Sequence, residues 1–85
     1  MTIYFDKDSS NWTNDNKFNE HFLNYQTDYI REIVKHRGYI YWNQIFEILG
    51  VTWDTRWENH CIENAEFTVV IGWDCKQDRW QIDIY

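Results

Sequence analysis

The sequence predicts a small α+β domain, with two to three helices packed on a short antiparallel sheet that ends in a C-terminal β-hairpin. Three observations carry that prediction. Apolar spacings of three and four run from Phe18 to Leu49, the signature of helices. After Ala65 the period changes to two, the signature of strands. Pro is absent and Gly occurs only at positions 38, 50 and 72, so no linker, repeat or low-complexity tract divides the chain. Residues 1–85 are therefore expected to form one domain.

Thr2, Ile3, Tyr4 and Phe5 form a short, apolar, β-prone run that predicts an edge strand. Residues 6–17 are polar, and Asn11, Asn14, Asp15 and Asn16 offer turn and N-cap chemistry, so this stretch reads as a loop. The next apolar residues are Phe18, Phe22, Tyr25, Tyr29, Ile30, Ile33 and Val34, one stripe of a helix. Lys35, His36 and Arg37 crowd its end, where cations meet the negative pole of the helix dipole. Gly38 supplies the left-handed residue that stops it. Tyr39, Ile40 and Tyr41 make a brief extended link. Trp42, Ile45, Phe46 and Leu49 repeat the helical spacing, and Gly50 closes this shorter helix.

Asp54 can cap a third helical turn that carries Trp57 and Cys61 on one side. Phe67, Val69, Ile71 and Trp73 then alternate with Thr68, Val70, Gly72 and Asp74. Trp80, Ile82 and Ile84 alternate with Gln81, Asp83 and Tyr85. The polar residues 74–78 between the two runs have hairpin length. Val70 predicts that the second face of the sheet is not fully solvated.

Composition narrows the function classes. Fourteen acids against eight Lys and Arg leave a net charge of −6. Binding to nucleic-acid phosphates draws its affinity from Lys and Arg, so no direct nucleic-acid partner is expected. Six Trp, six Tyr and five Phe in a chain that is 44% hydrophobic argue against disorder. No apolar run approaches the roughly 18 residues of a membrane span. The N-terminus has no basic region or small-residue cleavage site, so a reducing cytoplasm is the expected location.

The residues that could carry chemistry lack the spacing that chemistry requires. Asp6, Asp8 and Ser10 have the one-three-five spacing that opens an EF-hand calcium loop. However, the twelfth position is Lys17 where a bidentate Glu is needed, and the sixth is Asn11 in place of Gly. A structural zinc site wants four ligands, usually with paired cysteines. Cys61 and Cys75 lie too far apart, and only His21, His36 or His60 could complete the set. A disulfide between them would contribute about 3 kcal/mol, but a reducing compartment opposes it. Two small, mostly buried thiols are expected. His60 adjoins Cys61 and would point away from it on a shared helix. Ser9 and Ser10 have no nucleophile elbow around them.

Asp54 and Glu58, flanked by Trp53 and Trp57, have the spacing of a glycosidase carboxylate pair, but so does any solvated helix face. A chain of 85 residues leaves little wall for a sugar cleft. No catalytic residue, metal or cofactor is expected, and the chain reads as non-enzymatic.

Charge is distributed unevenly. Residues 29–45 carry +2, and Tyr39, Tyr41 and Trp42 beside that basic helix end could stack bases, but its cations already cap the helix. Residues 46–66 carry −4, from Glu47, Asp54, Glu58, Glu63 and Glu66 against Arg56. Carboxylates on a rigid surface can imitate phosphates and occupy a nuclease's DNA groove. The bland alternative is a solvated face that keeps a small protein in solution.

The segment RGYIYWNQIFEILG at residues 37–50, with Trp53-Asp54 and Trp57-Glu58-Asn59 after it, resembles small, uncharacterised proteins of bacteriophages and mobile elements of Gram-positive bacteria. The resemblance covers residues 29–60 and marks a fold rather than a catalytic site. Trp42 stands where the pattern usually has Leu, and Thr55 where Pro often follows the Asp. It carries no activity, cofactor or catalytic residue. What it implies is a setting, because such small, acidic, aromatic-rich phage proteins often bind a host protein. Inhibitors of restriction or CRISPR nucleases are the prominent class, and some of them mimic DNA.

The function expected on that basis is inhibition of a host defence nuclease in the host cytoplasm. The expected partner-binding residues are Glu47, Trp53, Asp54, Glu58, Glu63 and Glu66, with Trp53 or Trp12 as exposed anchors. The alternative is a phage structural or assembly accessory protein that acts through oligomerisation. A homodimer would then pair through a sheet edge, either Thr2–Phe5 or residues 80–85.

Overall fold

The computed structural model describes residues 1–52, 60–64 and 66–85. In chain order its elements are β1 (Thr2–Phe5), α1 (Asn16–Arg37), β2 (Ile40–Tyr41), α2 (Trp42–Leu49), β3 (Cys61–Ile62), β4 (Val69–Asp74) and β5 (Arg79–Ile84). The fold is α+β. Its helices accompany a three-stranded antiparallel sheet of order β1-β5-β4 and a two-stranded ladder of β2 with β3. The expected cap at Asp54 lies outside the described residues. Cys61 belongs to β3, where it faces Tyr41 across the ladder, and so is not on a helix. The supposed link at Tyr39–Tyr41 is likewise half strand, because Ile40 and Tyr41 find partners in β3.

Helix α1 starts two residues before its apolar stripe. Asp15 Oδ1 accepts from the Lys17 and Phe18 backbone N–H groups at 3.0 and 3.2 Å, which places the helix start at Asn16. Gly38 ends it at φ +92°, donating its N–H to the Val34 carbonyl. The predicted single stripe divides. Ile30 and Val34 are buried together with Leu23 and Asn19, whereas Phe18, Tyr25 and Tyr29 are exposed. At about 100° per residue the seven positions span more of the helix than one sheet can cover, so one flank stays in water. Buried Asn19 ties the preceding loop to the helix. Its Oδ1 accepts from the Thr13 N–H and hydroxyl at 3.0 and 2.9 Å, and its Nδ2 donates to the Thr13 carbonyl at 2.9 Å.

The inward faces of β1 and β5 alternate as their sequences require. Ile3 and Phe5 meet Ile82 and Trp80 in register, and all four are buried. Residues 80–85 are not an edge, contrary to expectation. Arg79–Ile84 is the central strand, paired with β1 on one side and β4 on the other. Among the described residues, no strand pairs with the outer edge of β1 or of β4. In the hairpin turn, Asp74 Oδ1 accepts from Lys76 and Gln77 N–H groups, and Asp78 takes φ +56° to close it. The outer face is more open than Val70 implied, for Val70 is itself exposed. Arg79 lies 3.7 Å over the Tyr4 ring there.

The loop before α1 docks on the end of α2. Asp6 Oδ1 accepts from Asp8 N–H, Ser9 Oγ accepts from Asp6 N–H, and Ser10 N–H donates to the Gly50 carbonyl at 2.8 Å. Gly50 sits at φ +74°, which favours glycine, and a Cβ there would lie 2.5 Å from Asn11 Nδ2 and push that side chain aside. Trp12 is not the exposed anchor expected of it. It is half-buried, its ring 5.6 Å from that of Phe5. Among the described residues no helix is long and apolar enough to cross a membrane.

Candidate functional site

Two of the residues expected to bind a partner, Glu63 and Glu66, follow the ladder of β2 and β3. Arg37 organises the approach to it. Its Nε donates to the Tyr39 carbonyl at 3.1 Å, its Nη2 donates to Gln44 Oε1 at 2.7 Å, and its guanidinium lies 4.6 Å from the Tyr39 ring centroid. Gln44 Oε1 also accepts from the Tyr41 N–H, so one side chain fixes the end of α1 to the start of α2. Tyr39 and Tyr41 then meet edge to face at 5.4 Å, both exposed. The motif at residues 37–44 is thus a joint between helices, and its tyrosines are what it presents to solvent.

Glu63 follows β3 and stands between two hollows. The first, of about 420 Å³, is lined by Arg37, Gly38, Tyr39, Tyr41, Cys61 and Glu63. The second, of about 350 Å³, has Trp42, Ile62, Phe67 and Ile84 as apolar walls and Glu63, Glu66 and Tyr85 at its polar side. Glu63 and Glu66 are both exposed. The fold therefore brings these two acids together over an apolar floor. Glu47 is placed elsewhere, in the last turn of α2, lining a different hollow with Asp8, Ser10 and Gly50. A carboxylate in a last turn faces the unfavourable pole of the helix dipole. Trp53, Asp54 and Glu58 lie outside the described residues.

The thiols are free, and Cys61 is half-buried while Cys75 is exposed in the hairpin turn. The expectation of two mostly buried thiols is corrected on that point, since a turn residue has nothing to pack against. Burial and the neighbouring Glu63 carboxylate, whose Oε1 accepts from Sγ at 3.5 Å, push the Cys61 thiol up from its ordinary range. At neutral pH it is a protonated donor and not a thiolate nucleophile. Among the described residues no three His, Cys, Asp or Glu side chains converge as a metal site. What this surface offers is carboxylates, tyrosine rings and shallow apolar hollows, the materials of a protein contact.

Sequence reasoning grouped Tyr39, Tyr41 and Trp42 as rings that could stack bases, whereas the structure exposes the two tyrosines and buries Trp42. The signal for the exposed pair was present in the alternation of Tyr39, Ile40 and Tyr41 around one buried residue. Compared with known proteins, the chain matches no family model, no curated protein and no solved structure.

Proposed function

We propose that this chain is a non-enzymatic protein of phage or mobile-element origin that binds and inhibits a host defence nuclease in the host cytoplasm. The observation that carries the reading is the pairing of Glu63 and Glu66 over the apolar hollow of Trp42, Ile62, Phe67 and Ile84, beside exposed Tyr85. Carboxylates held near aromatic surface suit the Lys- and Arg-rich groove in which a nuclease holds nucleic acid. The net charge of −6 favours fast encounter with such a partner. Glu47, Trp53, Asp54 and Glu58 extend the proposed contact in sequence. The alternative reading, an assembly accessory that oligomerises, is favoured by the open edge of β4.

The test is capture of partners by the tagged chain in a Gram-positive host with intact defence systems, at low and high salt. A single defence nuclease should be enriched at low salt and lost at high salt, since the screening length falls from about 10 Å at 0.1 M to about 3 Å at 1 M. The double variant Glu63→Lys with Glu66→Lys should lose that nuclease while folding normally. Retention of the nuclease by the double variant would remove these acids from the contact.

A further inference from the structure

Among the described residues the sheet has two open edges, and they are not equivalent. The hydrogen bonding of β4 with β5 fixes which groups the β4 edge presents. Thr68 and Tyr85 exchange both backbone hydrogen bonds, Thr68 N–H to Tyr85 O at 3.2 Å and Tyr85 N–H to Thr68 O at 3.0 Å. In an antiparallel ladder such pairs recur every second residue, so Val70, Gly72 and Asp74 turn their amides toward β5. The N–H and C=O groups of Val69, Ile71 and Trp73 therefore face outward along the edge. These residues also send their side chains to the inner face. Val69 and Ile71 are half-buried against the core, and Trp73 lies 5.3 Å from the buried Trp80.

Beside them runs a groove of about 420 Å³ between β4 and α1, lined by Asn24, Thr27, Asp28, Arg31, Val69 and Ile71. Natural sheets blunt such an edge with Lys, Pro, a bulge or short length. β4 has no Lys or Pro, and its register with β5 is unbroken over all six pairs. β1, by contrast, is four residues long.

We propose that β4 pairs antiparallel with β4 of a second copy of this chain, joining two three-stranded sheets into one of six strands. The strand is complementary to itself. With the twofold axis at Ile71, the three outward-facing residues are all used: Ile71 faces Ile71 of the second copy, and Val69 faces its Trp73. Aromatic and β-branched cross-strand pairs of this kind are favourable. Val70 faces the other copy's Gly72, above which there is open space, and Asp74 faces Thr68, so no like charges oppose. The axis is perpendicular to the sheet and keeps both α1 helices on one side, antiparallel across the groove. This pairing does not rest on the nuclease-binding reading, because it uses the backbone edge of β4 and neither Glu63 nor Glu66.

The test combines sedimentation over a wide concentration range with amide hydrogen exchange followed residue by residue. Mass should rise with concentration to twice that of the chain. Over the same range exchange at Val69, Ile71 and Trp73 should slow, while Val70 and Gly72, already bonded to β5, should not change. A monomer at every concentration would overturn the proposal and leave the edge to a strand of some other protein. A dimer in which Ile71 exchange stays fast would overturn it as well, by placing the contact elsewhere.

Discussion

The three-stranded sheet and the two-stranded ladder are built from similar residues and do opposite things with them. β5 is paired along its length on both sides, and Trp80, Ile82 and Ile84 are buried between the sheet and the helices. β3 has two paired residues, both half-buried. Burial is what resists unfolding, so the first region holds the molecule together. The second leaves Tyr41 and Glu63 exposed and Cys61 half-buried. Three alternate residues of β5 are thus buried, whereas in the ladder Ile40 alone is fully buried and its neighbour Tyr41 is exposed.

The sharpest way to break this contrast is to truncate one isoleucine in each region. Ile82→Ala, at the centre of the sheet and 1% exposed, should cost about 2–5 kcal/mol in urea denaturation. Ile62→Ala, half-buried in the ladder, should cost about 1 kcal/mol; equal losses would mean the ladder is as structural as the sheet. Next in size is Asn19→Ala, which leaves the Thr13 groups without their buried partner and should cost about 1–3 kcal/mol.

A smaller effect is tied to pH. The Asp83 carboxyl is held below its ordinary range by the Thr2 hydroxyl, which donates to Oδ1 at 2.6 Å, and then by Gln81 Nε2, which donates to Oδ2 at 3.0 Å. A carboxylate whose folded pKa is depressed stabilises the fold above its unfolded pKa, and that contribution is lost as pH falls through the folded value. Thr2→Val should therefore be less stable than the parent at neutral pH, with the difference closing on acidification. A gap that persists in acid would assign the loss to packing instead. The smallest expected change is in the Glu63→Lys and Glu66→Lys pair, whose stability should stay within about 0.5 kcal/mol of the parent.

Much of this was legible in the sequence, and the exceptions share a cause. Period and punctuation reveal elements that are local. Gly38 and Gly50 stop helices wherever they stand, and the Asp74 turn closes on its own neighbours. Neighbour relations between distant strands have no local signal. Residues 80–85 alternate equally well as an edge or as a centre, and only the pairing with Thr2–Phe5 decides it. Cys61 and Ile62 make too short a strand to have a period, so their partnership with Ile40 and Tyr41 could not be read. Among the candidate residues, the acidic run contained Glu63 and Glu66, which line one hollow, and Glu47, which α2 places beside Asp8 and Ser10.

The central position of β5 has a consequence in time. Ile3 and Phe5 have no neighbour in the sheet until Arg79–Ile84 exists, and Thr2 meets Asp83 across 81 positions. The β4–β5 hairpin and helix α1 can each form on microsecond scales from local contacts alone. β1 must wait for a loop nearly as long as the chain to close, which makes its docking the slow, entropically costly step. During synthesis the first strand would leave the ribosome with its apolar face uncovered and remain so until the last strand follows. A folding intermediate in this protein would therefore consist of the hairpin and α1 with the N-terminal strand still unpaired.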